Sequence, residues 1–191
     1  MSTLKLNNLE AATGTTINIA SGDKLTGAAG SISAPGHVIQ VVQAVKTDRF
    51  STTSASAVDV TGLTVDITPR SSSNKVLVSC SLNYGGDTNF YGGVLLKRGS
   101  TTISAGTDAT GSQSAVTLAL GGDNENFTFK VASASIQFLD SPSTTSATTY
   151  KIQIFSPYNS EPFVINSSNS TADQNYIFAG TSTITVMEIA Q

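Results

Sequence analysis

The sequence predicts an all-β protein, an antiparallel sandwich of the jelly-roll type. Three observations predict this fold class. Short segments rich in β-branched and aromatic residues follow one another from about residue 35, and most alternate apolar with polar side chains, as strands with one buried face do. Clusters of Gly, Ser, Asn, Asp and Pro separate these segments. No apolar repeat with the period of a helix lies between them, which favours a sandwich over a mixed fold.

Turn residues bound each predicted strand. In LTVDIT the apolar Leu63, Val65 and Ile67 face one way, and Pro69 ends the strand because it lacks an amide donor. YKIQIF has apolar residues on both faces, which predicts a central strand or one lying against another chain. STITVMEI holds the C-terminus in the sheet. In chain order the predicted strands are VIQVVQAVKT, VTGLTVDIT, KVLVSCSLNY, YGGVLLKRG, SAVTLAL, FTFKVASASIQFLD, TYKIQIFS, EPFVI and YIFAGTSTITVMEIA.

The first 36 residues differ from the rest and are predicted to form a separate stalk or attachment segment with a linker, in front of a head domain at 37–191. Two short, weakly apolar strands are too small to enclose a core, and an isolated hairpin is marginal in water. We expect three copies of the chain to cover the aliphatic residues in a short β-stalk. The alternative is a disordered leader that folds on docking to another protein. The predicted stalk residues are Leu4, Leu6, Leu9, Ile17, Ile19 and Leu25.

Composition and charge exclude several classes of function. The 191 residues carry a formal net charge of −3, and the ten basic residues are scattered, which argues against nucleic-acid binding. No stretch approaches the roughly 18 apolar residues of a membrane span, and no secretion signal is recognisable at the N-terminus. Cys80 is the only cysteine, so internal disulfides and cysteine-based zinc sites are excluded. It is predicted to be a small buried hydrophobe.

Five segments follow one another in the sequence: LKLNNLEAATGTTINIASGD, APGHVIQVVQAVKTD, FSTTSASAVDVTGLTVDITPRSSSNKVLVSCSLNYGG, FLDSPSTTSATTYKIQI and STITVMEIA. In this order they resemble tail-fibre and virion-fibre proteins of marine and cyanobacterial phages, and the resemblance covers nearly the whole chain. It implies a homotrimeric virion protein, assembled in the host cytoplasm, whose head is similar to the C1q and tumour-necrosis-factor jelly rolls. It also implies that the N-terminal segment joins other virion proteins. The loop NSSNSTADQNYIFAGTS departs from the relatives, so receptor specificity is not implied. The most specific segments are APGHVIQVVQ, LDSPSTTSATTYKIQ and TITVMEIA.

The residues that could support catalysis or bind a metal do not form a recognisable motif. His37 is the only histidine, and no GxSxG elbow accompanies it. We expect an exposed or interface histidine, with metal or anion binding by three copies near a threefold axis as the alternative. The acids in the predicted loops could supply the pair of carboxylates that a glycosidase needs, but we expect them to be solvated residues of turns. These acids are Asp87, Asp108, Asp123, Glu125, Asp140 and Asp173.

The segment GGDNEN contains oxygen ligands suited to calcium, but the EF-hand spacing is absent, so an ordinary hairpin turn is favoured. No enzymatic activity, cofactor or bound metal is therefore predicted.

Two loop clusters have the side chains that carbohydrate recognition uses, namely aromatic rings for sugar C–H faces, with Asn and Asp for hydroxyls. For Phe90, Tyr91 and Tyr176 the alternative is a core position at a strand end. The receptor-binding candidates are Tyr84, Asp87, Asn89, Phe90, Tyr91, Tyr158, Asn159, Asn169, Asp173 and Tyr176.

The functional hypothesis is a homotrimeric phage fibre whose head loops recognise a host-surface glycan. The alternatives are a capsid decoration or cement protein or a tail-connecting protein, each without a receptor site, and a C1q-like binding module outside any phage.

Overall fold

The protein's structure is a computed structural model that describes residues 21–22, 34–122, 126–158 and 160–191. The fold below is that of the unit Ser33–Gln191. The predicted stalk, with its six aliphatic residues, lies outside the described residues, so the stalk and the boundary at residue 36 stay predictions.

The described residues contain strands, turns and loops but no helix. Most strands coincide with alternating segments of the sequence, since alternation places every second side chain on one face. In chain order they are β1 (Val38–Lys46), β2 (Phe50–Thr52), β3 (Val58–Ile67), β4 (Lys75–Gly86), β5 (Tyr91–Arg98), β6 (Thr101–Thr102), β7 (Leu118–Gly121), β8 (Ala132–Asp140), β9 (Thr148–Phe155), β10 (Phe163–Ile165) and β11 (Ser182–Ile189).

The strands form two antiparallel sheets. In sheet I, β11 lies between β1 and β4, and β8 pairs with the other side of β4. The last three residues of β4 extend past the start of β11 and pair with β10. The other side of β10 pairs with β2. In sheet II, β9 lies between β3 and β5, and the short β6 and β7 pair with the far side of β5. The predicted antiparallel jelly-roll sandwich is confirmed.

The core lies between the sheets and is made of the inward side chains of both. Four aromatic rings fill one end of it, with neighbouring centroids 5.1 to 6.4 Å apart. Cys80 is buried among the aliphatic residues, and burial raises its thiol pKa to about 12. The thiol is therefore protonated at neutral pH, which confirms the predicted hydrophobic role. The aromatic core residues are Tyr84, Phe90, Phe127 and Phe163.

A buried carboxylate joins β11 to β1 and to the turn before β4. Glu188 is fully buried and accepts hydrogen bonds from the Arg70 backbone N–H at 2.7 Å, Asn74 Nδ2 at 2.6 Å and Gln40 Nε2 at 2.6 Å. Loss of hydration raises the carboxyl pKa, but these hydrogen bonds more than offset it and the pKa is lowered. Glu188 therefore stays ionised in the folded protein at neutral pH.

A second buried polar group fixes the start of the β10–β11 connection. Asn166 adopts a left-handed backbone conformation with φ 67°. Its Nδ2 donates to the carbonyl oxygens of Lys46 at 2.8 Å and Asp48 at 3.1 Å, and its Oδ1 accepts from Ser182 Oγ at 2.6 Å. The ends of β1, β10 and β11 are thereby held together beneath the long loop that follows β10.

A third polar group links the two sheets. The two carboxylate oxygens of Asp140, on β8 of sheet I, accept hydrogen bonds from Arg98 Nη1 at 2.9 and 2.8 Å. Its Oδ2 also accepts a 2.7 Å hydrogen bond from the Tyr150 hydroxyl. Burial and the neighbouring carboxylate raise the pKa of the Tyr150 phenol well above its ordinary value. The expectation of a solvated Asp140 is therefore wrong, because this acid is buried at the junction of the sheets.

Some predicted strands begin later than expected. The segments that precede β7, β8 and β11 are loops, because local turns satisfy their backbone groups, as in the bond from Lys130 N–H to the Phe127 carbonyl and from Ile177 N–H to the Gln174 carbonyl. The three-residue β2 and two-residue β6 were not predicted, since segments this short show no period.

Candidate functional site

Three loops meet at one end of the sandwich, above the aromatic core cluster. A bridge pairs Thr88 with Asn126, and the Ser170 N–H donates to the Thr128 carbonyl at 2.8 Å. These contacts join segments that are far apart in the sequence. The three-loop cluster consists of the described parts of the connections β4–β5 (87–90), β7–β8 (126–131) and β10–β11 (166–181).

Asp87 is the polar centre of the three-loop cluster. Its Oδ1 accepts hydrogen bonds from Thr128 Oγ1 at 2.9 Å and from the Thr88 N–H at 2.8 Å, and its Oδ2 accepts from Asn169 Nδ2 at 2.8 Å. Asp87 and Asn169, both predicted as receptor candidates, are thus brought together. The carboxylate is half-buried and fixes one loop to each of the other two.

Exposed aromatic rings lie on the same loops. Tyr176 is 52% exposed and packs edge to face against Phe129, which is 50% exposed, with centroids 6.0 Å apart. Phe178, two residues further on, is 63% exposed. Sequence reasoning missed Phe129 and Phe178, because FTFK and YIFA resemble strand segments and were included in predicted strands.

A second exposed aromatic pair lies beside the start of β5. Tyr91 is half-buried and Tyr158 half-exposed, and their rings pack edge to face with centroids 5.2 Å apart. Both were predicted as candidates, and the antiparallel pairing of β5 with β9 brings them together from loops more than sixty residues apart.

The other predicted receptor candidates lie in different environments. Phe90 is fully buried in the aromatic core, so its assignment as a receptor contact is wrong, and Tyr84 is half-buried in the same cluster. Asn89 is half-buried with φ 61°, and Asp173 is exposed on the β10–β11 loop. Asn159 lies outside the described residues.

His37 lies at the opposite end of the sandwich from the three-loop cluster. It is exposed, and its carbonyl accepts a 2.9 Å hydrogen bond from the Ala190 N–H, where β1 begins and β11 has ended. Within the described residues, no group of three or more His, Cys, Asp or Glu side chains could hold a metal ion. Asp123, Asn124 and Glu125, weighed as calcium ligands, lie outside the described residues. The described part of the chain also contains no helix long and apolar enough to cross a membrane.

The outer face of sheet I carries an apolar row across four strands. The pairing registers place Val41 on β1, Met187 on β11, Leu77 on β4 and Leu139 on β8 directly side by side. Val41 is 56% and Leu139 49% exposed. On one side of it, the next two rows contain one further valine and otherwise uncharged polar side chains: Gln43, Thr185, Ser79 and Gln137, then Val45, Thr183, Ser81 and Ser135. On its other side the next row contains Val38, Ile189 and the half-buried Lys75.

The outer face of sheet II is charged. Lys151 on β9 forms a 2.8 Å salt bridge with Asp59 on β3, and Gln153 Nε2 donates to the same carboxylate at 2.7 Å. The hydrogen bond from Lys151 lowers the pKa of Asp59. On β5, Lys97 Nζ donates to Thr102 Oγ1 at 2.9 Å. This face is hydrated and needs no partner to cover it.

No protein-family model matches the chain, and no curated protein matches it by sequence. Among solved structures, the chain is similar to a chain in the structure of infectious bursal disease virus, Gt strain, with TM-score 0.40 and 12% identity over 92% of this chain and 42% of that chain. A chain in the structure of the Gx strain is similar with TM-score 0.37 and 13% identity over 93% of this chain and 44% of that chain. A mutant VP2 protein of the same virus, in derived T=1 particles, is similar with TM-score 0.39 and 13% identity over 93% of this chain and 42% of that chain.

This chain therefore corresponds to less than half the length of those viral chains. Similarity at this level carries no function from those proteins to this one.

Proposed function

We propose that the protein is a structural component of a phage virion, a homotrimeric fibre whose head recognises the host surface. The observation that carries the proposal is the outer face of sheet I, where an apolar row crosses a surface on which the paired strands present Lys75 at one end and otherwise uncharged side chains. Apolar patches with few charges are typical of the core of protein interfaces. Copies of the chain are the proposed cover, because the sequence resembles trimeric phage fibres.

The edges of sheet I support the same assembly. β1 and β8 each pair on one side only, and edge strands usually carry exposed charges or proline that prevent pairing with other chains. The charged residues of these two strands, Lys46 and Asp140, are both buried and paired with groups of the same chain. Closed cyclic association would cover such edges, whereas an isolated copy leaves them open.

The position of the loops supports recognition. The chain enters the head at Val38, at the end of sheet I opposite to the three-loop cluster. The loops and their exposed rings therefore lie at the end of the head opposite to the start of β1. Three sites on one rigid trimer would bind a surface of repeated glycans with avidity, even where each site is weak.

Adhesion of the fluorescently labelled full chain to host cells tests this function. Saturable adhesion is expected, and a variant that dissociates the trimer, Val41→Glu with Leu139→Glu, should adhere at least about a hundredfold more weakly because avidity is lost. The control is Thr64→Glu, which places a negative charge on the outer face of sheet II instead. A folded trimer that does not adhere would contradict the recognition role and favour a decoration, cement or connecting protein.

A further inference from the structure

A groove runs over the outer side of sheet II, beside the β6–β7 connection, and it consists of two adjoining cavities. One has a volume of about 210 Å³ and the other about 520 Å³. Ser114 and Val116 line both cavities, so the two volumes adjoin. We propose that this groove binds a neutral saccharide of two or more rings; the inference rests on the proposed recognition function and names its ligand class.

The smaller cavity is aromatic and has a floor of small residues. In the register of β5, Gly93 lies between Ala119 of β7 and Phe155 of β9, and the Phe155 ring covers it, since a Cβ at Gly93 would lie 2.3 Å from that ring. Tyr91 forms a wall of the cavity and stacks against Tyr158 outside it. Such a shallow site fits the flat C–H face of a pyranose ring on aromatic carbon.

Gly121 completes this floor opposite Tyr91. Its φ is 84°, and a Cβ there would lie 2.0 Å from the Phe90 carbonyl oxygen, so no other residue fits without a backbone shift. The smaller cavity therefore depends on glycine at two positions, Gly93 and Gly121.

The larger cavity is lined by small and aliphatic residues together with three polar side chains. Asp108, Gln113 and Ser114 line it, and they present a carboxylate, an amide and a hydroxyl group. Gln113 Oε1 accepts a 3.0 Å hydrogen bond from the Thr110 N–H, which holds the amide in place. These groups can exchange hydrogen bonds with sugar hydroxyls.

The chemistry of the lining selects among ligand classes. Among the described residues, neither cavity is lined by Lys, Arg or His, so a phosphate, a sulfated sugar or a uronic acid would find no positive partner there. An acyl chain or an apolar peptide would bury the Asp108 carboxylate without satisfying it. A neutral oligosaccharide suits both halves, with one ring on the aromatic floor and the next among the polar groups.

Isothermal titration of the full chain with neutral disaccharides and trisaccharides, cellobiose and maltose series included, tests the groove. Tyr91→Ala and Asp108→Asn should each lower the affinity about tenfold, the loss expected for one aromatic or one charge-assisted contact. Tyr91 is half-buried and Asp108 is exposed, and unchanged melting temperatures would show that both variants fold. The matched control is Asp66→Asn, the same change at an exposed carboxylate of β3 that lines neither cavity, and it should leave the affinity unchanged.

The outcomes separate the groove from the recognition function. Saccharide binding that is lost in Tyr176→Ala but kept in Tyr91→Ala and Asp108→Asn would overturn the groove and leave recognition by the three-loop cluster standing. Failure of every neutral saccharide at millimolar concentration would also overturn the groove, while adhesion to host cells would show independently whether recognition survives. A preference for sialylated or sulfated sugars would overturn the assignment of a neutral ligand.

Discussion

The outer faces of the two sheets are built from the same alternating pattern but differ in charge. On sheet II, lysine and aspartate side chains pair across neighbouring strands, as in the Lys151–Asp59 salt bridge. On sheet I, the corresponding positions are hydroxyl, amide and aliphatic apart from Lys75 at the start of β4, and an apolar row runs from Val41 to Leu139. In a chain with only 12% charged residues, the placement of those charges distinguishes the face that stays hydrated from the face proposed to be covered.

The polar groups inside sheet I make the contrast sharper. Glu188 and Asp140 belong to sheet I strands, yet both are buried and directed toward the interior of the sandwich or the other sheet. The buried acids of sheet I therefore stabilise the fold, whereas the Lys151–Asp59 pair of sheet II is on its surface. The following predictions test this difference.

The largest effect is expected from placing charge on the apolar row. Val41→Glu with Leu139→Glu should convert the trimer to a folded monomer, because each charge would be buried without a partner at a cost of about 3 kcal/mol or more in each copy. Sedimentation velocity measures the change. Thr64→Glu on sheet II should leave the sedimentation coefficient unaltered; dissociation by both variants would contradict the assignment of the covered face.

The next largest effect concerns the link between the sheets. Asp140→Ala should lower the free energy of unfolding by about 3 kcal/mol, since it leaves the buried Tyr150 hydroxyl and the Arg98 guanidinium without their shared acceptor. Urea denaturation measures the loss. Asp140→Asn retains an acceptor oxygen and should lose less; equal stability of Asp140→Ala and the unmodified protein would contradict the role of this link.

A moderate effect is expected from acid, through Glu188. Its pKa is lowered in the folded protein from an ordinary value of 4.5, so the unfolded chain takes up the proton first as the pH falls. The stabilisation is present above about pH 4.5 and is lost as the pH falls below that value toward the lowered folded pKa. Urea denaturation at a series of pH values should show this loss, and Glu188→Gln should flatten it. If the free energy of unfolding of the variant depended on pH as in the unmodified protein, the loss in acid would not come from Glu188.

The smallest effect is expected on the charged face. Lys151→Met removes the salt bridge to Asp59, whose side chain is 51% exposed, and should change the free energy of unfolding by less than about 1 kcal/mol. The difference from the unmodified protein should shrink further in high salt. Loss of the trimer in this variant would mean that sheet II, not sheet I, contributes to the interface.

Much of the fold could be predicted because alternation is a local property. LTVDIT, KVLVSCSLNY and STITVMEI became β3, β4 and β11 with the predicted faces buried, and YKIQIF proved to be the central strand β9. The boundaries before β7, β8 and β11 were missed, because aromatic residues in loops, such as Phe127 and Phe129, have the composition of strand residues.

The candidate site was less predictable, because pairing between distant segments creates it. Local sequence suggested Asp87 and Asn169 separately, but only the meeting of three loops makes them hydrogen-bond partners. Phe90 could not be told from an exposed loop aromatic, since its burial depends on the contacts of Gly86 and Gly92 from neighbouring strands. The apolar row on sheet I could not be predicted from the sequence for the same reason, because its four residues come from four strands.

Multi-angle light scattering of the intact, untagged chain at micromolar concentration tests the central claim most directly. A covered outer face of sheet I requires a stable particle with three times the 19.6 kDa mass of one chain. A folded species of 19.6 kDa that persists across that concentration range would contradict it.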